Sequence, residues 1–270
     1  PRVFGDSLLH VSEVTAIVEN TVPLVALNPR PPLKEDIKIG KAISELIPNG
    51  ATIQMGVGGA PDAVCQYLIN HNDLGIHSEL LSPGMVDLIQ KGIVTGAKKN
   101  INKNKHVFTL AFGNVQMYEF MNDNPSMETY PVDYVNNPSV ISENDNVISV
   151  NSIIEIDLYG QVNAEFLLGH QYGGPGGQND FVRGAYLSKG GKSILAFEST
   201  TTGGQISKIV PQLTGVVTDL RIDTEYVATE YGVINLKGLS STQRAKKLIE
   251  LAHPNFRDEL IESAKKMSLI

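Results

Sequence analysis

The chain has 270 residues, 41% of them hydrophobic and 19% charged, the composition of a soluble globular protein with a sizeable core. A formal charge of −7 leaves no basic field for nucleic acid, and no apolar run reaches the roughly 18 residues of a membrane span. The single cysteine, Cys65, excludes an internal disulfide and suits a reducing compartment, so a cytoplasmic location is expected.

The chain opens Pro1-Arg2-Val3 without the basic and apolar regions of a signal peptide, which predicts a piece of a longer product. An extended apolar stretch, VPLVALNP, leads into PRPPLKED. Prolines crowded into Pro29–Pro32 cannot continue a helix or a central strand and predict a connector. A helix follows over about Asp36–Ile47, with Ile39, Ile43, Leu46 and Ile47 on one face, until Pro48-Asn49-Gly50 breaks it.

The next unit is a strand, Thr52–Met55, the glycine loop GVGGA, and a helix opening at Pro61-Asp62, a favourable start. Cys65 lies in this helix at the spacing of a buried structural thiol. Strand Gly75–Leu80 and helix Met85–Val94 come next, and strand and helix candidates alternate through His106–Gly113, Val115–Asn122 and Glu128–Val135. Such alternation predicts an α/β fold, an open and mostly parallel sheet flanked by helices. Beyond about residue 145 the segments NVISVNSIIEIDLYGQVNAEFL, KSILAFEST, ISKIVPQL and EYVATEYGVINL predict an added β-rich section. From Ser241 the pattern returns to amphipathic helix.

Three constellations carry chemistry. In GVGGA, backbone N–H groups and a following helix start suit a phosphate or an oxyanion. It is no dinucleotide fingerprint, because Pro61 stands where the third glycine belongs. The tetrad His77-Ser78-Glu79-Leu80 ends a short apolar strand, the rim where open α/β sheets bind ligands. Glu79 there has the choice of base, metal ligand or nucleophile, or of a plain solvated loop position. His77 shares its face of an extended strand, but His71 and His106 do not complete a metal set. The third is the cluster Gly173–Gly177 with Gln178, Asn179 and Asp180, followed by SKGGKS. Its Gly191-Lys192-Ser193 imitates the end of a P-loop, yet Tyr186 occupies the position of the first glycine. Asn163, near the end of a long apolar strand, offers an amide donor to a carbonyl oxygen, and Gly203-Gly204 offers a backbone N–H at another rim. Each is equally a turn residue.

Taken together, IQMGVGGAPDAV, DLGIHSELLSPGMVDLIQKGIVTGAKKN, YPVDYVNNPSVISENDNVISVNSIIEIDLYGQVN, GGQNDFVRGAYLSKGGKS and TEYGVINLKGLS resemble the acetyl-CoA hydrolase/transferase family, in particular its 4-hydroxybutyrate and butyrate:acetate CoA-transferases. The resemblance implies that Glu79 is the nucleophile that takes CoA as a thioester. It places the segment lining that thioester at Gly56, Gly58, Gly59 and Ala60. It puts donors to the acyl carbonyl at Asn163, Gly203 and Gly204, and CoA contacts at Gly177 and Lys192. It also implies a related amino-terminal domain, with the active site between the halves. Residues 1–35 then hold that domain's tail and the connector, and 36–270 the carboxyl-terminal catalytic domain. The implied substrates are an acyl-CoA and a small carboxylic acid. The only cofactor is coenzyme A itself, as substrate and covalent intermediate, with no metal, and the implied assembly is a homo-oligomer. Hydrolysis through the same glutamate and a non-catalytic CoA-binding role are the alternatives. Glu155, Glu165 and Glu230 are the rival carboxylates.

Overall fold

Four consecutive residues that are all buried, as in Thr52–Met55, belong to a strand covered on both faces, and such strands set the architecture. The computed structural model describes residues 1–27 and 31–270, so Pro29 of the expected connector lies outside the described residues. In chain order the strands are β1 (Phe4–Gly5), β2 (Thr52–Met55), β3 (Gly75–Leu81), β4 (His106–Ala111), β5 (Met127–Thr129), β6 (Val147–Ser152) and β7 (Glu155–Asp157). They continue with β8 (Val162–Asn163), β9 (Phe166–Leu167), β10 (His170–Gln171), β11 (Lys192–Ala196), β12 (Ile209–Val210), β13 (Tyr226–Thr229) and β14 (Gly232–Asn235). The helices are α1 (Lys34–Ser44), α2 (Gly59–Tyr67), α3 (Pro83–Gln90), α4 (Val115–Met121), α5 (Val132–Val135), α6 (Pro138–Ile141), α7 (Gln178–Leu187), α8 (Ser241–Leu251) and α9 (Pro254–Lys266).

Nine strands form the main sheet in the order β1-β5-β4-β3-β2-β6-β11-β13-β14. All neighbours are parallel except the terminal hairpin β13–β14. The chain runs outward from β2 through β3, β4 and β5, then returns to the middle and runs the other way through β6, β11 and β13. Beside β2 and β6 the order reverses, which is where sheets of this kind open a ligand crevice at their carboxyl ends.

Strand alternation divides the core. Ile53, Met55, Ile76, Phe108, Ile148, Val150, Ile194 and Ala228 face one side, packed with residues of α1 to α4 such as Ile39, Val64, Met85 and Met117. Val107 and Val147 face the other side, with Val135, Ile141 and Phe181 of α5, α6 and α7. Further along that second side, Leu195 and Val227 pack against α8 and α9 through Leu248 and Leu260.

The expected β-rich section is partly absorbed. β6, β11, β13 and β14 join the main sheet, while β12-β7-β8 and β10-β9 make small sheets of their own. The long expected strand breaks at Ile153 and Ile154, which leave β6 and precede β7. Helix α3 starts earlier than its apolar pattern predicts, with Pro83 at its first turn. Gln178, Asn179 and Asp180, grouped with the glycine cluster in the sequence, open the ten-residue helix α7. At the other end of the chain, Phe4–Gly5 pairs with β5, so two residues of the segment assigned to a preceding domain close this sheet's edge.

Candidate active site

At the reversal of strand order lies a cleft of about 360 Å³ lined by Gln54, Gly56, Val57, Glu79, Asn151, Gly176, Gly177 and Gln178 among others. Strand geometry explains who meets there. Gln54 pairs in register with Ser149, and Asn151 lies two residues further along the same face of β6. The two amides bond to each other, Gln54 Nε2 to Asn151 Oδ1 at 2.9 Å and Asn151 Nδ2 to Gln54 Oε1 at 3.1 Å. Asn151 Nδ2 also donates to Ser149 Oγ at 2.9 Å. Buried amides need such partners, and the pair floors the cleft. Gly56 is required beside it: a Cβ there would stand 2.7 Å from Asn151 Oδ1.

Glu79 reaches the cleft from the carboxyl end of β3, half-buried, where the burial pattern of that strand opens. The N–H of Gly177, which caps α7, donates to Glu79 Oε2 at 3.0 Å. Glu79 Oε1 has no hydrogen bond among the described residues. Gly177 lies outside the helical region but at φ −90° and ψ 10°, a backbone open to other residues; glycine is needed for space, because a Cβ would overlap Asn136 Nδ2 and lie 2.8 Å from Glu79 Oε2. Asn136 is buried, and its Oδ1 finds no partner among the described residues. Asp180, one turn into α7, has its carboxyl pushed up by burial and then by the charge of Glu79.

His77, two residues earlier, is fully buried and packs beside Tyr134 and Phe181. Burial, with the charge of Lys99, lowers its pKa to about 4, so it is neutral and donates from Nε2 to the Val135 carbonyl at 2.8 Å. Among the described residues no group of His, Cys, Asp and Glu is arranged to hold a metal ion, and His77 belongs to the core.

The rim continues from the cleft. A hollow of about 150 Å³ is bounded by Gly58, Gly59, Ala60, Ser152, Glu198 and Lys208. Beyond it, about 590 Å³ opens around Gly203, Gly204, Lys38 and His253, again with Glu198 and Lys208. The expected glycine loop therefore divides: Gly56 meets Glu79 in the first cleft, while Gly58, Gly59 and Ala60 line the second. Gly58 has φ +137°, and Gly59 lies against the buried Asp36, whose carboxylate stands at the start of α2. That helix start thus faces an acidic side chain of the protein's own.

Residues 113–264 match the family profile described as "Acetyl-CoA hydrolase/transferase C-terminal domain". The chain belongs to this family. The 4-hydroxybutyrate coenzyme A transferase of Clostridium kluyveri is 48% identical over 98% of this chain and 62% of its own length. Butyryl-CoA:acetate CoA-transferase of Anaerostipes caccae is 42% identical over 100% of this chain and 63% of its own. The crystal structure of RipA from Yersinia pestis superposes with a TM-score of 0.95 at 55% identity, covering 100% of this chain and 62% of that one. The chain thus spans a little over three fifths of these relatives.

Two residues that the family resemblance pointed to take other places in this family member. Asn163 is fully buried, and its amide is spent: Nδ2 donates to Glu155 Oε1 at 3.0 Å and to the Phe166 carbonyl at 2.7 Å. Its Oδ1 accepts from the N–H groups of Glu165 and Phe166. It folds the turn after β8 and has no donor left for a ligand. Lys192 opens β11 opposite Ile148, whereas Ala196 at the far end pairs with Ser152 on the cleft rim. Four residues of parallel strand put Lys192 about 13 Å from that rim, at the amino ends of the strands. Sequence reasoning missed Gln54, Asn151 and Asn136. The first two carried a signal, a polar side chain at an inward position of an otherwise apolar strand; Asn136 carried none. The rival carboxylates are occupied. Glu155 accepts from Asn163, Glu165 from Thr218 Oγ1 and Gln171 Nε2, and Glu230 from the N–H and hydroxyl of Ser199.

Proposed function

We propose that this chain carries the nucleophile-bearing part of a CoA-transferase that moves CoA between a short-chain acyl-CoA, of the acetyl, butyryl or 4-hydroxybutyryl type, and a carboxylic acid such as acetate. The observation that carries the reading is the Glu79 carboxylate in the cleft where strand order reverses. One of its oxygens is oriented by the Gly177 N–H and the other is unbonded. The names of the Clostridium and Anaerostipes relatives support the substrate class.

The reaction is ping-pong. The free Glu79 oxygen attacks the acyl-CoA carbonyl, the C–S bond breaks, and a mixed anhydride and CoA thiolate result. The thiolate attacks the glutamyl carbonyl and expels the donor acid, leaving a glutamyl-CoA thioester, and the acceptor carboxylate runs the two steps in reverse. A carboxylate suits this work because its anhydride and thioester lie close in energy to the substrates. Gln54 keeps one amide hydrogen after pairing with Asn151 and is a donor for the tetrahedral oxyanions, a contribution typically worth about 3–4 kcal/mol. Water must be kept out of the cleft, and amino-terminal residues, of the kind that complete the longer relatives, supply that cover.

Acyl-CoA without acceptor tests the reading in the full-length protein. A CoA adduct should appear on the peptide holding His77–Leu80, and borohydride should reduce it to an alcohol at position 79. Glu79→Gln should abolish the adduct and lower exchange by several orders of magnitude. An adduct on Glu155, Glu165 or Glu230, or more than about a tenth of the rate in Glu79→Gln, sinks it. Release of free CoA in the presence of acetate assigns hydrolysis instead.

A further inference from the structure

We propose that Asp219 is a positioning residue for the Glu79 carboxylate, acting through Gln178 and the first turn of α7. In its catalytic arm the proposal rests on Glu79 being the nucleophile; its structural arm does not.

Among the described residues the only hydrogen bond to Glu79 comes from the N–H of the residue capping α7, so the location of that helix start decides where the carboxylate points. Little else holds the start in place. Its cap is a glycine without a side-chain bond, and the approaching loop is loosely packed: Cβ atoms built on Gly173 and Gly174 would meet nothing within 4 Å. On the loop side the ties are backbone bonds from Tyr172 and Gly173 to the Glu165 carbonyl. On the helix side Phe181 and Val182 anchor the body of α7 in the core, and the side chains of its first two residues are tied to a single carboxylate. Gln178 Nε2 donates to Asp219 Oδ2 at 2.6 Å, and Asn179 Nδ2 to Asp219 Oδ1 at 3.3 Å. Asp219 is in turn fastened to β8, exchanging two backbone hydrogen bonds of 3.2 Å with Val162. The strut therefore runs from β8 through Asp219 and Gln178 to the Gly177 N–H and Glu79.

The chemistry of the strut calls for an acid. Two amide N–H groups converge on one side chain, and only an ionised carboxylate is acceptor alone, with an oxygen for each. That choice is costly. Asp219 is fully buried and has no ion pair among the described residues. Facing it are Asp223 on its own loop, itself 3.2 Å from Arg183 of α7, and Glu165 after β8. Asp180 lies in the same first turn of α7, and among the described residues no base forms an ion pair with Asp219. Burial, against the pull of the two amides, pushes its pKa up to about 6. A neutral asparagine would be cheaper to bury, so a charge retained at this place points to function. As pH falls through about 6 the carboxyl gains a proton, one amide loses its acceptor, and the helix start loosens.

The test uses the full-length protein with Asp219→Asn, Gln178→Ala and their combination, and acetyl-CoA as probe. Three quantities are read: hydrogen exchange of residues 173–187, the single-turnover rate of adduct formation on Glu79 from pH 5 to 8, and Tm. Asp219→Asn should expose the first turn of α7 to exchange and slow adduct formation by about tenfold or more, with Tm unchanged or higher. The acid fall in rate near pH 6 should vanish, and the double variant should be no slower than the slower single, because both act through one contact. An Asp219→Asn rate within about twofold of the parent, additive losses, or a rate that falls only in step with Tm overturns the proposal. Should the parent form no adduct on Glu79, the nucleophile reading fails and exchange alone decides. Lost protection then upholds the strut, and unchanged protection ends it.

Discussion

Gly177→Ala isolates the orientation of Glu79 from its chemistry. The backbone at this position, φ −90° and ψ 10°, accepts alanine without strain, so whatever the variant does comes from its methyl group. That methyl would overlap Asn136 Nδ2 most severely and sit 2.8 Å from Glu79 Oε2, where ordinary contact begins near 3.4 Å, so it clashes with two side chains. The carboxylate must therefore retreat by about 0.6 Å, and the 3.0 Å bond from the Gly177 N–H is stretched or lost with it. Displacements approaching 1 Å cost about 10²-fold in rate when reacting groups need alignment. Overpacking of this kind costs about 1–3 kcal/mol of stability. We expect CoA adduct formation in full-length Gly177→Ala to slow by roughly 30- to 100-fold, with a Tm loss of only a few degrees. Adding Asn136→Ala relieves one of the two clashes and should recover stability but not rate. Single-turnover quench-flow with mass detection of the adduct makes the measurement. A Gly177→Ala rate within about threefold of the parent would falsify the claim that this N–H aims the nucleophile.

His77 and His106, both with pKa lowered by burial from 6.5 to about 4, should make the fold acid-sensitive. The unfolded chain binds protons at these sites first, so stability present above pH 6.5 is lost as pH falls toward 4, up to about 3 kcal/mol for each. Asp219, its pKa raised to about 6, opposes with the same order of magnitude, and the two histidines outweigh it. Urea midpoints at pH 7.5 and 5 check the sign, and a midpoint no lower at pH 5 refutes it. Cys65 is buried, with its thiol pushed up to about 12, chiefly by burial and then by the charge of Asp62. It should resist iodoacetamide at pH 8 until the protein is denatured, and rapid labelling of the native state would contradict that placement.

The α/β alternation was readable because Thr52–Met55, Gly75–Leu81 and His106–Ala111 are apolar runs separated by helix starts at prolines and glycines. Glu79 could be placed on a rim from its position at the end of such a run. What the sequence hid depends on pairing between distant segments. Gly177 looked like one of a row of turn glycines, because neither Asn136 nor Glu79 is near it in the chain. Asn163 looked like a free donor because the turn that consumes its amide is closed by Glu155, eight positions away. Lys192 mimicked a phosphate loop because its neighbours are glycines. Strand direction, which puts it at the end of the strands away from the cleft, emerges only once β11 is paired with β6.

The seam between β2 and β6 has a consequence for how reactivity is acquired. Thr52 pairs with Val147, so the cleft forms only when the wing that holds β2 to β5 meets the wing that begins at β6. Such long closures are made late and slowly. Neither part builds the surroundings of Glu79 by itself: Glu79 comes from the first, the N–H that orients it and most of the polar floor from the second. If Glu79 is the nucleophile proposed above, a nascent or partly collapsed chain would expose only a glutamate of ordinary reactivity. Capture of CoA at position 79 would then serve as a chemical clock, marking the moment the two wings of the sheet have closed.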